Sequence, residues 1–351
     1  MKIAFLFLIR ENLNHPRLWE TFFNNGSDFS IHIHYVNNVD IGWFDQFKVK
    51  NPVPTKWGSI SLVSAMNLLL ETALQDPLNE MFIFVSESCV PVKTIDHIKN
   101  NIDVNFSYFN YFTNIFPKNN HVTQFFDREN IKAASQWSIL NRKHAEYIMT
   151  IRGEMIERFA PTFAPDEACY PTYLYTMFGG DEIKNLMTTC VIWNNKNKYF
   201  KKNLEQGLTK TTPYEFILFD RNELNYVVRT EYMFFLRKIR KGCLISYDGY
   251  DAFPQNIGKI QMFRIASEPK HLESALKICK DNQYGGFIVL HNKFYYRKRS
   301  VKELTDSNNL IKTKKSMLVV CQTVEDVLID MITQPLHHTT TSNHFEACDL
   351  H

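Results

Sequence analysis

Apolar residues run without a break through positions 3–9, Ile-Ala-Phe-Leu-Phe-Leu-Ile, and again through 81–85, Met-Phe-Ile-Phe-Val. Unbroken runs of this length belong to strands covered on both faces, as in a parallel sheet flanked by helices. Between them the period changes. Leu18, Trp19 and Phe22 recur at helical spacing from Pro16, and Asn24-Asn25-Gly26 supplies a helix stop, so a helix is predicted over 16–23. Over 29–36, Ile31, Ile33 and Tyr35 alternate with Ser30, His32 and His34, the pattern of a strand with one polar face. A long amphipathic stretch over 62–74, ended by Asp76-Pro77, predicts a second helix. Strands alternating with helices in this way predict an α/β fold built on a parallel sheet.

The pattern is less regular further along. Positions 105–128 are aromatic, polar and unphased, which suits a loop region over a cleft, with a second sheet as the alternative. Residues 135–142 look strand-like and feed a helix over 143–151; a further helix should run through Met177, and 188–193 is again strand-like. A helix is predicted over 214–225, and Gly, Asp and Tyr over 242–258 suit a linker. Beyond it, strands near 260–265, 287–290, 294–297 and 317–321, with helices over 272–280 and 324–332, predict a small α+β module. The expected division is therefore a domain over 1–245, a module over 259–335 and a disordered tail over 336–351.

Composition narrows the chemistry. Aromatic residues make up 14% of the 351 positions, enough for a core packed with rings and for surfaces suited to carbohydrate. A net charge of +3 is too mild for a dedicated nucleic-acid binder but sufficient for a compact anion such as a nucleotide diphosphate. The seven cysteines are odd in number and form no CxxC pair, which argues against a zinc site or a disulfide framework and for a reducing compartment. The amino-terminal apolar run is too short to span a bilayer and lacks cleavage chemistry, so it reads as a strand; a cytoplasmic location is expected, with the secretory pathway left open.

Four groups of residues are candidates for chemistry. Pro165-Asp166-Glu167 sets two carboxylates at the mouth of an apolar segment, where a general base would sit, although acids there also complement a helix dipole. Ser86-Glu87-Ser88-Cys89-Val90-Pro91 follows a buried strand, at the edge where α/β sheets bind ligands, or is an ordinary strand-to-helix loop. Arg237, Lys238, Arg240 and Lys241 make either a compact anion site or a solvated surface. His32 and His34 share one face, but no third metal ligand accompanies them.

Taken together and in order, these segments resemble one family. The strand over 3–10, Leu18-Trp19-Glu20-Thr21-Phe22-Phe23, Ser30-Ile31-His32-Ile33-His34, Trp57-Gly58, Ser86-Glu87-Ser88-Cys89-Val90-Pro91, Ser135-Gln136-Trp137, Asn141-Arg142, Pro165-Asp166-Glu167 and the stretch over 234–239 resemble the core-2/I-branching glycosyltransferases and their plant relatives. The resemblance covers roughly residues 1–240. It implies a GT-A-like, Rossmann-type nucleotide-sugar fold and inverting transfer, usually of N-acetylglucosamine from UDP-GlcNAc, to a hydroxyl of an acceptor glycan. UDP-xylose and UDP-glucuronic acid are the donors of some relatives, and a glycan-binding protein without turnover is a further alternative. The family needs no divalent metal and lacks Asp-x-Asp, a motif absent here too. By resemblance, Glu167 is the catalytic base, Lys238 binds the diphosphate with help from Arg229 or Arg221, and Trp193 lies on the acceptor side together with Asp166. Ser135 and Trp137 would border the donor sugar, and His34 and Trp57 the nucleotide.

Overall fold

In the computed structural model, which describes residues 1–112, 117–192, 215–253, 257–262, 269–290 and 293–333, the amino-terminal apolar run forms strand β1 (Lys2–Ile9). Helix α1 (Pro16–Asn24) carries Pro in its first turn, where the missing N–H costs nothing. Strand β2 (Phe29–Tyr35), helix α2 (Ser61–Leu74) and strand β3 (Asn79–Ser86) follow. Strand β1 lies between β2 and β3, parallel to both, with Phe5 opposite Ile31 on one side and Ile83 on the other. Its side chains alternate between two cores. Phe5 and Phe7 meet Trp19, Phe22 and Phe23 of α1, while Ala4, Leu6 and Leu8 join Leu69 and Leu70 of α2. The first core is packed edge-on, with Phe7 and Trp19 centroids 4.8 Å apart and Phe5 and Phe22 5.5 Å apart.

The turn after β3 leads into β4 (Val90–Pro91) and α3 (Ile95–Asn101). The aromatic stretch that suited a loop contributes two short strands, β5 (Ser107–Phe109) and β6 (Tyr111–Phe112), the latter paired with β7 (Ala133–Ala134). Strand β8 (Ile139–Asn141) runs antiparallel to β3, and Asn141 caps α4 (Arg142–Phe159) by accepting the His144 N–H at 2.8 Å. Helix α5 (Cys169–Phe178) and strand β9 (Ile183–Asn185) complete a six-stranded sheet of order β2-β1-β3-β8-β5-β9. The expected α/β class, with parallel strands between helices, is the class observed.

The second half departs from the expected elements over 214–258, whereas the helices expected over 272–280 and 324–332 and the strands expected over 287–290, 294–297 and 317–321 are observed. Strand β10 (Thr189–Val191) is where it was expected, but the helix predicted over 214–225 begins only after strand β11 (Phe216–Asp220). Asp220 then caps helix α6 (Arg221–Arg229) by accepting the Asn222 and Glu223 N–H groups. Phe216, Leu218 and Phe219 are buried against the neighbouring sheet, so packing overrides local helix propensity. Strand β12 (Phe235–Arg237) joins β10 and β4 in a three-stranded sheet. The presumed linker is a strand: β13 (Ile239–Ala252) lies between β11 and the later β17, with register shifts that absorb its glycines. The remaining elements are β14 (Ile257–Met262), α7 (Pro269–Asn282), β15 (Gly286–Leu290), β16 (Lys293–Arg297), α8 (Val301–Thr305), β17 (Leu310–Thr323) and α9 (Val324–Thr333). The tail expected to be disordered lies outside the described residues.

The carboxyl-terminal sheet shares the amino-terminal core. Leu318, Val320, Val324, Leu328 and Ile332 belong to the same buried cluster as Phe5 and Trp19. Polar contacts reinforce the junction: the Leu18 N–H donates to Glu325 Oε1 at 3.2 Å, and Arg17 lies 3.5 Å from Asp326.

Candidate active site

The carboxyl ends of β1 and β3 open on one side of the parallel sheet, the side on which such sheets bind ligands. Beyond β3 the chain turns sharply through Ser86-Glu87-Ser88-Cys89. The Cys89 N–H donates to the Ser86 carbonyl at 3.1 Å, and the Ser86 hydroxyl lies within 3.3 Å of both the Ser88 hydroxyl and the Cys89 sulfur. This turn is tied to the β12–β13 connection. Ser88 accepts the Ile239 N–H at 3.0 Å, and Arg237 Nε donates to Ser86 Oγ at 3.0 Å. The predicted binding edge after β3 is therefore also the seat of the basic cluster, although about 150 residues separate the two in sequence.

Arg237 is the hub. Its guanidinium stacks over the Trp137 ring, 4.4 Å from the centroid, and its charge acts on Glu87, Asp166 and Glu167. Burial lowers its pKa, and these carboxyls raise it in return. Lys238 is half-buried. Burial and then the Arg237 charge lower its pKa, while Glu215 and Glu87 oppose them. Burial pushes Glu87 up, with Arg237, Lys238 and Arg10 pulling it down. Arg237, Lys238 and Glu87 thus gather past the ends of β3 and β12, with the exposed Arg10 beyond β1 adding its charge from a distance.

The two adjacent acids face this cluster. Pro165–Glu167 forms a single 3-10 turn ahead of α5, whose N-cap is Ala168 with no side-chain hydrogen bond. Neither acid caps that helix. Asp166 is buried, its Oδ1 has no hydrogen-bond partner among the described residues, and burial raises its pKa to about 6 against the pull of Arg237. Glu167 is half-buried and is raised to about 7, by burial first and then by the Asp166 charge, again with Arg237 opposing. A carboxyl that titrates near neutrality beside a cationic pocket can take a proton from a bound hydroxyl.

A second loop braces the acids. Ala164 stands in the left-handed region, with φ at 51°, and its N–H donates to the Gly58 carbonyl at 3.0 Å. Gly58 is itself left-handed, at φ 68°, and a Cβ there would sit 3.1 Å from the Phe163 ring. Trp57 is 69% exposed and meets Phe163 edge-on at 5.5 Å, so it stands at the rim beside the acids.

The expected residues divide as follows. Glu167, Asp166, Lys238 and Trp137 come together around Arg237, and Ser135 lies next to them, accepting the Trp137 N–H at 3.4 Å. His34 is buried near the end of β2, where the Val53 N–H lies 3.1 Å from its Nε2 and the Val53 carbonyl 3.0 Å, so its ring is held by backbone. Arg221 and Arg229 do not join Lys238. They open and close α6 on the carboxyl-terminal sheet, and the charges acting on Lys238 are those of Arg237, Glu215 and Glu87. Trp193 lies outside the described residues. Arg237 was legible only as one member of a basic run; its position at the end of an apolar strand was the available signal. Among the described residues, no three His, Cys, Asp or Glu side chains cluster as metal ligands.

Comparison with known proteins adds to this geometry. Residues 3–212 match the model of the Core-2/I-Branching enzyme family. The chain is 34% identical over 160 residues to glycosyltransferase BC10 of Oryza sativa subsp. japonica, a match that takes in 42% of this chain and 40% of that protein's length. Among solved structures, it is similar to a glycosyltransferase involved in the glycosylation of the major capsid of PBCV-1, at 9% identity and a TM-score of 0.31 over 66% of this chain and 91% of that one. A197 from STIV matches at 11% identity and a TM-score of 0.22, over 42% of this chain and 68% of that one. Superpositions this loose carry no functional weight.

Proposed function

The chain belongs to the core-2/I-branching enzyme family of glycosyltransferases, and on that premise we propose that it moves a sugar, N-acetylglucosamine in the leading reading, from a UDP-sugar to a hydroxyl of an acceptor glycan with inversion and without a divalent metal. The observation that carries this reading is the adjacent pair of buried Asp166 and half-buried Glu167, the latter raised to about 7, set against Arg237 and Lys238 beyond the ends of parallel strands. The Glu167 carboxylate accepts the acceptor proton as the hydroxyl oxygen attacks the anomeric carbon from the face opposite the diphosphate. The bond to UDP breaks in the same step, and UDP leaves with the bonding electrons. Lys238 and Arg237 offset the charge that develops on the diphosphate, the task a metal performs in other nucleotide-sugar enzymes. Arg237, rather than Arg221 or Arg229, assists Lys238 at the diphosphate. Asp166 holds the base's pKa up through its own charge, and Trp137 keeps the Arg237 plane in register.

The test is release of UDP from a panel of UDP-GlcNAc, UDP-xylose and UDP-glucuronic acid, run with and without excess EDTA. Turnover of one donor that persists in chelator is expected. Activity lost in EDTA and restored by manganese would assign charge neutralisation to a cation instead of Lys238 and Arg237.

A further inference from the structure

The carboxyl-terminal sheet carries a cleft that the transfer chemistry does not use. Along β13, Tyr247 stands opposite Leu318 and Asp248 opposite Met317, after which the register shifts and Tyr250 stands opposite Lys312. Gly249, at φ 77°, occupies the shift. In a regular strand residues three apart point to opposite faces. The irregularity at Gly249, opposite which β17 carries the surplus residues 313–316, lets Tyr247 and Tyr250 line one cavity of about 890 Å³, together with Arg221 at the start of α6, Lys312 of β17 and Asp330 of α9. Burial and the nearby Asp220 charge raise the Tyr247 phenol, while Arg221 lowers it, which sets that guanidinium beside the ring. Among the described residues, neither Arg221 nor Lys312 makes an ion pair, and neither tyrosine hydroxyl has a hydrogen-bond partner.

We propose that this cleft is a second carbohydrate-binding site, for an oligosaccharide that carries an anionic group. Two tyrosine rings on one face suit the apolar faces of sugar rings, and their hydroxyls with Asp330 suit sugar hydroxyls. Among the residues that line the cleft, Arg221 and Lys312 exceed Asp330 by one charge and select a carboxylate, sulfate or phosphate. A volume near the upper end of ordinary ligand clefts holds an oligosaccharide rather than a single ring. The proposal rests on the transferase reading only in taking a glycan as the kind of molecule this chain meets; the binding itself requires no turnover.

The experiment exposes the full chain to an array of immobilised neutral, uronate-bearing, sulfated and phosphorylated oligosaccharides, with and without free UDP. Retention of anionic members, weakening with salt and unaffected by UDP or by Glu167→Gln, is expected. Arg221→Gln and Tyr250→Ser should each reduce retention about tenfold or more. Thermal melts establish that each variant is folded, and the exposed Lys312→Gln serves if either is not. Retention of no anionic glycan, equal retention by folded cleft variants, or displacement by UDP would each overturn the proposal. Glycan retention by a chain that turns over no UDP-sugar would leave the cleft standing and sink the transferase reading alone.

Discussion

At the scale of single residues the reading turns on which of two neighbouring acids takes the proton. Glu167→Gln keeps the shape of the side chain and removes its basicity, so turnover should fall on the order of 100- to 10,000-fold while UDP affinity changes little. Asp166→Asn is the control; if it abolishes turnover and Glu167→Gln does not, the base has been misassigned. The same pair makes a prediction about stability. Both acids have native pKa values above their ordinary ones, about 6 against 3.8 and about 7 against 4.5. Such groups bind protons more tightly in the folded state, so their contribution is fully present below about pH 4 and is lost as pH rises through 6 to 7. Thermal melts of the native chain and Glu167→Gln should therefore agree near pH 4 and separate near pH 8, where the variant melts on the order of a few degrees higher. Parallel profiles across that range would mean that Glu167 is not held against ionisation.

At the scale of elements, legibility follows the range of the interactions. Strands β1 to β3 and helices α1 and α2 declare themselves locally, through unbroken apolar runs and helical spacing, and lie close to where the sequence implied. Strand β13 was hidden because Gly242, Gly249 and its aspartates read as turn signals, whereas register shifts let a central strand tolerate them. The acids and Ser86-Glu87 were legible as separate candidates. Their meeting with Arg237 was not, because a contact between Ser86 and Arg237 leaves no trace in local periodicity. Nor does the brace between two loops, in which Gly58 supports Ala164 and Phe163. That brace is testable. Gly58→Ala forces a left-handed alanine whose Cβ crowds Phe163, at a cost of about 1 kcal/mol or more. Because the strain falls on the segment that carries Glu167, turnover should drop further than the shift in melting temperature explains. A variant with native kinetics would mean the brace does not position the base.

At the scale of the whole molecule, the question is whether the carboxyl-terminal sheet is a module or part of the catalytic body. The sequence implied an independent unit after a linker, from which truncation near residue 250 would leave a folded domain. The packing argues for the opposite outcome. Such a cut removes β17 from beside β13 and takes Leu318, Val320, Val324 and Leu328 out of the core that holds Phe5 and Trp19. Each of those side chains contributes roughly 1.5–3 kcal/mol by burial, and their loss together rivals the 5–15 kcal/mol net stability of an ordinary domain. It would also leave β13 as an exposed edge directly after Lys238, which invites association between chains. The truncated chain should therefore be insoluble or molten, with lost near-ultraviolet circular dichroism and no UDP binding. A soluble fragment with a cooperative melt and native UDP affinity would show that the amino-terminal core closes without the carboxyl-terminal strands, and that the contact between α1 and α9 is a docking surface between two independently folding units.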